Sequence, residues 1–204
     1  MTAHVIGFDL SLRAPAAVAL PLDWRPGDWR RVRTWTTSTP DPASLDDHRG
    51  QLVRYRFIAN WALDLVRDVG PKQIASAWVE NYGFSKNNRQ ASRGMGSGEI
   101  VKLELFERLS IIVTPLTAST CRKFMCGTIP RAAEPKLIVQ ATLWGAGAPL
   151  ARKLVEKHAR WRDRGGAWTE DECDAFVICN TGLAESGGTA LSLAAPERPR
   201  KRTR

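Results

Sequence analysis

Two apolar runs, far apart in the chain, each end on a carboxylate, and this pairing constrains the fold more than any other feature. Val5-Ile6-Gly7-Phe8 runs into Asp9, and Ile74-Ala75-Ser76-Ala77-Trp78-Val79 runs into Glu80. Both read as buried strands. In α/β sheets functional groups gather at the carboxyl ends of strands, so the two acids can meet across neighbouring strands. A second pair, Asp171 and Asp174, sits three residues apart in the first turn of the last helix, a spacing that turns both the same way. Four carboxylates in one place repel strongly unless cations hold them together. Hard oxygen donors without His or Cys beside them favour magnesium or manganese over zinc. Taken singly, Asp9 is an ordinary turn acid, Glu80 a strand-end charge and Asp171 a helix N-terminal acid. Order and spacing change that balance.

The segments between these acids predict the layers around them. Ala16 to Leu20 follows the first strand after a turn at Arg13-Ala14-Pro15, and Val32 to Thr36 gives a third strand. The intervening Asp23 to Arg31, rich in Trp, Arg, Pro and Gly, reads as an elaborated hairpin loop, so the opening is an antiparallel meander. Thr37 to Asp47 is a polar loop. From Leu52 to Val69, apolar Ile58, Trp61, Ala62, Leu65 and Val69 recur at helical spacing, and Gly70-Pro71 stops the helix. Tyr82 to Gly98 reads as a polar, basic loop. Glu99 to Leu109 reads as a helix with Ile100, Leu103, Phe106 and Leu109 on one stripe. Ile111-Ile112-Val113 is a short strand closed by Pro115. Pro135 suits the first turn of a helix running through Trp144, and Thr169 caps a last helix from Glu170 to about Ala184. No capping box is assigned there; Asp171 and Glu172 favour the first turn. The expectation is an α/β fold with a mixed five-stranded sheet flanked by helices.

Charge and cysteine usage narrow the partners. The 204-residue chain carries a net charge of +9, of which four belong to the last nine residues, Pro196 to Arg204, leaving +5 on the body. A basic body favours a polyanion, and nucleic acid is the usual one. One domain over residues 1–186 is expected, with 187–204 a basic, disordered tail that adds salt-sensitive affinity for DNA. The four cysteines, at 121, 126, 173 and 179, fit neither a redox pair nor a common zinc spacing and read as reduced thiols. No apolar run spans a bilayer, and Met1-Thr2-Ala3-His4 does not open a secretory signal, so a cytoplasmic protein with no membrane partner is expected.

Three segments carry a family resemblance. Ile6-Gly7-Phe8-Asp9-Leu10-Ser11-Leu12-Arg13 resembles the first strand and turn of RuvC-like Holliday junction resolvases, members of the RNase H-like superfamily. Trp78-Val79-Glu80-Asn81-Tyr82-Gly83-Phe84 is similar to that family's second acidic strand. Asp171-Glu172-Cys173-Asp174-Ala175 is similar to its closing helix. Thr114 to Thr117, with Gly127 and Lys136, resembles its fifth strand and lysine-bearing loop. The chain departs from the family in having Leu10-Ser11 where Pro-Gly is usual, in the Asp23 to Arg31 insert, and in its tryptophans and Arg-rich tail.

The resemblance implies an RNase H-like fold and a homodimer that cuts four-way DNA junctions by paired symmetric nicks, using two magnesium ions for which manganese can substitute. It implies Asp9, Glu80, Asp171 and Asp174 as metal ligands and Lys136 as a cation near the scissile phosphate, with Glu170 and Glu172 as spare acids. Helix 99–109 would cross the dimer axis. Branched DNA would be met by Arg13, Tyr82, Phe84, Lys86, Arg89, Arg93 and Lys123, with Phe84 or Tyr82 stacking at the branch point. Two rivals stand beside this. One is another RNase H-like nuclease, acting on RNA–DNA hybrids or on branched or flap DNA; the other is a non-catalytic junction-binding protein.

Overall fold

The computed structural model describes residues 2–40, 48–81, 88–127, 135–146 and 168–192. Its frame is a five-stranded mixed sheet. β1 (His4–Asp9) and β2 (Ala16–Pro21) pair antiparallel, and β3 (Arg33–Thr36) pairs antiparallel with β2. β4 (Ile74–Asn81) lies parallel to β1, and β5 (Val113–Thr117) lies parallel to β4, giving the order β3-β2-β1-β4-β5. The antiparallel opening and the mixed sheet agree with the sequence expectation.

Side-chain alternation sends each strand's residues to two different cores. Ile6 and Phe8 of β1 and Ala77 and Val79 of β4 join α1 (His48–Val69) and α2 (Asn88–Leu109) through Ile58, Ala62, Val101 and Leu105. The opposite face belongs to the last helix, α5 (Glu170–Glu185), with α3 (Ala118–Cys126) and α4 (Pro135–Gly145) packed against it. β1 and β2 are thus covered on both sides, which is why their apolar runs are nearly unbroken.

Helix and sheet come into direct backbone contact at Gly7. A Cβ there would lie 2.4 Å from the backbone nitrogen of Cys179 and 2.7 Å from the carbonyl oxygen of Ala175. Only a residue without a side chain lets α5 press its backbone onto β1. The apposition of Gly182 to Trp78 and the Ser186–Ser76 hydroxyl contact at 2.7 Å run the helix antiparallel to β4. The N-terminus of α5 therefore stands at the carboxyl ends of β1 and β4.

Several elements differ from the sequence expectation. α2 begins at Asn88, so most of the segment read as a loop is helix. Its glycines weaken intrinsic propensity, but a Cβ at Gly96 would meet the Tyr55 ring at 2.8 Å, so close packing on α1 outweighs that penalty. The buried stripe of α2 is Ser97, Val101 and Leu105, while Leu103 and Phe106, placed on the predicted apolar stripe, are more than half exposed. β5 runs through Pro115 instead of closing before it. It is an edge strand, where a missing N–H can be tolerated. α3 had no counterpart in the sequence reading; Thr117 caps it, its hydroxyl accepting from the Thr120 N–H. Thr169 and Glu172 form a reciprocal capping box, which the sequence expectation lacks.

The hairpin insert is built into the core. Trp24 is fully buried and its indole donates to the Asp28 carbonyl at 3.0 Å, while Trp29 donates to the Ala146 carbonyl at 2.9 Å beyond α4. With Trp168, these rings enclose Phe176 of α5 at centroid distances of 5.4 to 6.0 Å. Past α5 the chain packs on as far as Ser192. The Asn180 amide exchanges two 2.8 Å hydrogen bonds with the Leu191 backbone, and the Ser192 hydroxyl donates to the Phe124 carbonyl. Residues 193–204, the greater part of the expected tail, lie outside the described residues. The four cysteines are free, and among the described residues no helix is long and apolar enough to cross a membrane.

Gly7→Ala forces a methyl group into the backbone of α5. Because no flexible side chain can yield there, we expect a loss of about 3 kcal/mol, measurable by urea denaturation. A loss below roughly 0.5 kcal/mol, the usual range for a neutral surface change, would contradict the close approach.

Candidate active site

The parallel register pairs Phe8 with Val79, so Asp9 and Glu80 follow at the ends of adjacent strands, about 5 Å apart laterally. Phe8 and Val79 both enter the α1–α2 core, and the next residue on each strand turns to the α5 side. There the first turns of α5 bring Asp171 and Asp174. All four acids named from the sequence are coupled through Asp9. Burial raises the Asp9 pKa well above the ordinary carboxylate value, and the charges of Glu80, Asp174 and Asp171 push it further, with Lys136 opposing them. Burial likewise raises the pKa of Glu80, assisted by Asp174 and opposed by Arg122 and Lys136.

Two cations face these acids. Lys136, on the first turn of α4, is ion-paired with Glu170 and reaches Asp174 Oδ2 at 3.2 Å. Arg122 of α3 holds Asp174 Oδ1 at 3.5 Å. Lys136 was named from the sequence; Arg122 was not, because the helix that carries it was not recognised. Thr117 as a cap, Gly127 as a stop, and Cys121 with Met125 as an apolar i,i+4 pair, both fully buried, were the available signals. The spare acids separate cleanly. The Glu172 carboxylate accepts the Thr169 N–H at 2.7 Å and is committed to the cap, whereas Glu170 pairs with Lys136.

A small cavity of about 10 Å³, roughly the room of one water, is lined by Glu80, Cys121, Arg122, Asp174, Val177 and Ile178. Burial pushes the Cys121 thiol up to about 11, so at neutral pH it stays protonated and offers no thiolate to a cation. Among the described residues no three His, Cys, Asp or Glu side chains stand ready to enclose a metal ion. The donor set nevertheless has the chemistry of a hard divalent cation. Buried oxygen ligands destabilise one another, and the partial relief they receive comes from Lys136 and Arg122. A cation of higher charge would relieve the same repulsion further.

Of the DNA-contacting residues expected, Arg13 is exposed on the turn that leaves β1 at this end of the sheet, and Lys123 is exposed beside Arg122. That turn is tied down by the Thr39 hydroxyl, which donates to the Leu12 carbonyl at 2.6 Å, and by the buried Ser97 hydroxyl, which donates to the Leu10 carbonyl at 3.1 Å. Arg89 and Arg93 fall on α2 and not on a loop. Tyr82, Phe84 and Lys86 lie outside the described residues.

Two solved structures of RuvC from Thermus thermophilus are similar to this chain. The first, RuvC in complex with a Holliday junction substrate, is 16% identical with a TM-score of 0.56, covering 94% of this chain and 99% of that one. The second, also T. thermophilus RuvC, is 15% identical with a TM-score of 0.57, covering 92% and 98%. No protein-family model and no curated protein matches the sequence. At this level of identity the likeness establishes the fold: a mixed five-stranded sheet flanked by helices, of the RNase H-like kind, along nearly the whole chain.

The cost of the buried Asp9 charge is measurable. Between the ordinary carboxylate value near 3.8 and its raised folded value, the native state keeps a proton that the unfolded chain has lost. Stability therefore falls as pH rises through that window. In the presence of a chelator at neutral pH, Asp9→Asn is expected to raise the thermal midpoint by roughly 2–4 °C per kcal/mol relieved and to flatten the pH dependence. A midpoint that drops, with the pH dependence of the wild type, would contradict this.

Proposed function

We propose that this chain is a divalent-metal-dependent, structure-selective endonuclease that resolves four-way DNA junctions by paired symmetric nicks. The observation that carries the proposal is the meeting of Asp9, Glu80 and Asp174, with Asp171, at one end of a RuvC-like sheet. A binding module gains nothing from carboxylates turned toward a phosphate backbone. The net positive charge of the body supports a nucleic acid partner.

Asp9, Glu80, Asp171 and Asp174 would hold two magnesium ions, or manganese in their place. Bound there, such ions would supply Lewis acidity for hydrolysis of the phosphodiester. Asp9, central and buried, presents its carboxylate from a strand end fixed by sheet hydrogen bonds and by the α5 backbone. Lys136 and Arg122 place positive charge where the scissile phosphate gains negative charge. Arg13 and Lys123 extend that positive rim to neighbouring phosphates. Tyr82, Phe84 and Lys86, followed by Arg89 and Arg93, would engage the branch point.

Symmetric cutting needs two active sites, and hence a twofold dimer. The exposed Leu103 and Phe106 on α2 give that helix an apolar outer face suited to a second copy. Such a protein would be soluble, working on cytoplasmic DNA and leaving ligatable 5′ phosphate and 3′ hydroxyl ends.

The test sets wild type beside Asp9→Asn on a synthetic four-way junction, an RNA–DNA hybrid and a flap, in magnesium and in calcium. We expect symmetric nicks in the junction from wild type in magnesium only, and binding without cutting from Asp9→Asn, with at least a ~10³-fold loss of rate. Preferential cutting of the hybrid would make the chain a different RNase H-like nuclease. Junction binding without any cutting would make it a binding protein. Phe106→Glu is expected to shift the protein toward monomer in sedimentation and to uncouple the two nicks while leaving single nicks.

A further inference from the structure

Asp174 has a cation at each oxygen: Arg122 at Oδ1 and Lys136 at Oδ2. For this carboxylate to join a metal ion, as the nuclease reading requires, the crowding of positive charge at its oxygens favours one of the two giving way. Arg122 is poorly placed to do so. Its side chain is mostly enclosed and its Nε is buried without a protein partner. Lys136 differs in every respect. Its side chain is about half exposed on a flexible four-carbon stem, and a second acid, Glu170, holds the same ammonium. Lys136 also sits in the first turn of α4, where the helix dipole disfavours a cation. Its position needs acidic partners from another helix.

Glu170 and Asp174 lie four residues apart on α5 and so share a face, which lets one ammonium span both. We infer that Glu170 is a positioning residue: it anchors Lys136 at the mouth of the acidic cluster, so that Asp174 can pass from the lysine to a divalent cation without the lysine leaving the site. With Glu170 in place, the ammonium has somewhere to stay when Asp174 turns to the metal. Without it, Lys136 swings into solvent once Asp174 turns to the metal, and the scissile phosphate loses its cation while the metal stays bound. Glu170 is thereby distinguished from the metal-holding acids beside it, and from Glu172, which is spent on the cap.

The inference rests on the nuclease reading and is tested with full-length protein by two independent measurements. Manganese binding is titrated by electron paramagnetic resonance, and single-turnover cleavage of a four-way junction is followed in magnesium, for Glu170→Gln, Glu170→Asp, Lys136→Met and the Glu170→Gln/Lys136→Met double variant. Lys136→Met is expected to cut about 100-fold more slowly while binding manganese at least as tightly as wild type. Glu170→Gln is expected to cut roughly tenfold more slowly with manganese affinity within about twofold, and Glu170→Asp to recover most of the rate. The double variant should be no slower than Lys136→Met alone, since the two residues act as one unit. Manganese binding weakened about tenfold or more by Glu170→Gln would make Glu170 a ligand and overturn the inference, as would losses that multiply in the double variant. A wild type that binds manganese yet cuts no DNA would instead sink the nuclease reading, and the inference with it.

Discussion

The geometry of this protein depends on the backbone contact between α5 and β1 at Gly7. A strand and a helix normally keep a layer of side chains between them. Here that layer is missing for one residue, and the helix settles against the strand with Cys179 and Ala175 directly opposed. The depth of that contact sets the height at which the first turns of α5 arrive over the strand ends. Aromatic packing then fixes the orientation of the helix: Trp24, Trp29 and Trp168 close around Phe176, and Leu191 is tied to Asn180. The acids are therefore carried by elements locked together through backbone and aromatic contacts.

That rigidity has an electrostatic cost which falls on Asp9. A carboxylate buried at a strand end among three others is less stable than the same group in water, and Lys136 offsets only part of the difference. Buried carboxylates that repel one another in this way mark a candidate functional site. The apolar packing on both faces of the sheet supplies the stability that makes the cost tolerable.

Much of this was legible in the sequence, for identifiable reasons. Asp9 and Glu80 were found because a buried strand ending on an acid is rare enough to notice, and Asp171 with Asp174 because a spacing of three has a fixed meaning on a helix. The mixed sheet followed from the order of elements. What escaped were features decided by contacts between distant segments. The start of α2 at Asn88 depends on Tyr55 accepting Gly96, and no local propensity reports that. α3 is only nine residues long, and its stabilisation comes from Cys121 and Met125 docking on the core. With α3 unrecognised, Arg122 had no place from which to reach Asp174. The capping role of Glu172 was written in Thr169-Glu170-Asp171-Glu172, but a carboxylate's partner is visible only once the turn is built.

Pro115 interrupts the row of amide donors along β5, the border of the sheet nearest Glu80. An uninterrupted border there would invite a neighbouring molecule to zip onto it strand by strand, beside the end of the sheet that carries the carboxylates. A single imino acid denies that self-association its central rung. The edge of the sheet beside Glu80 is thereby made a poor template for a second sheet by the one residue that cannot donate.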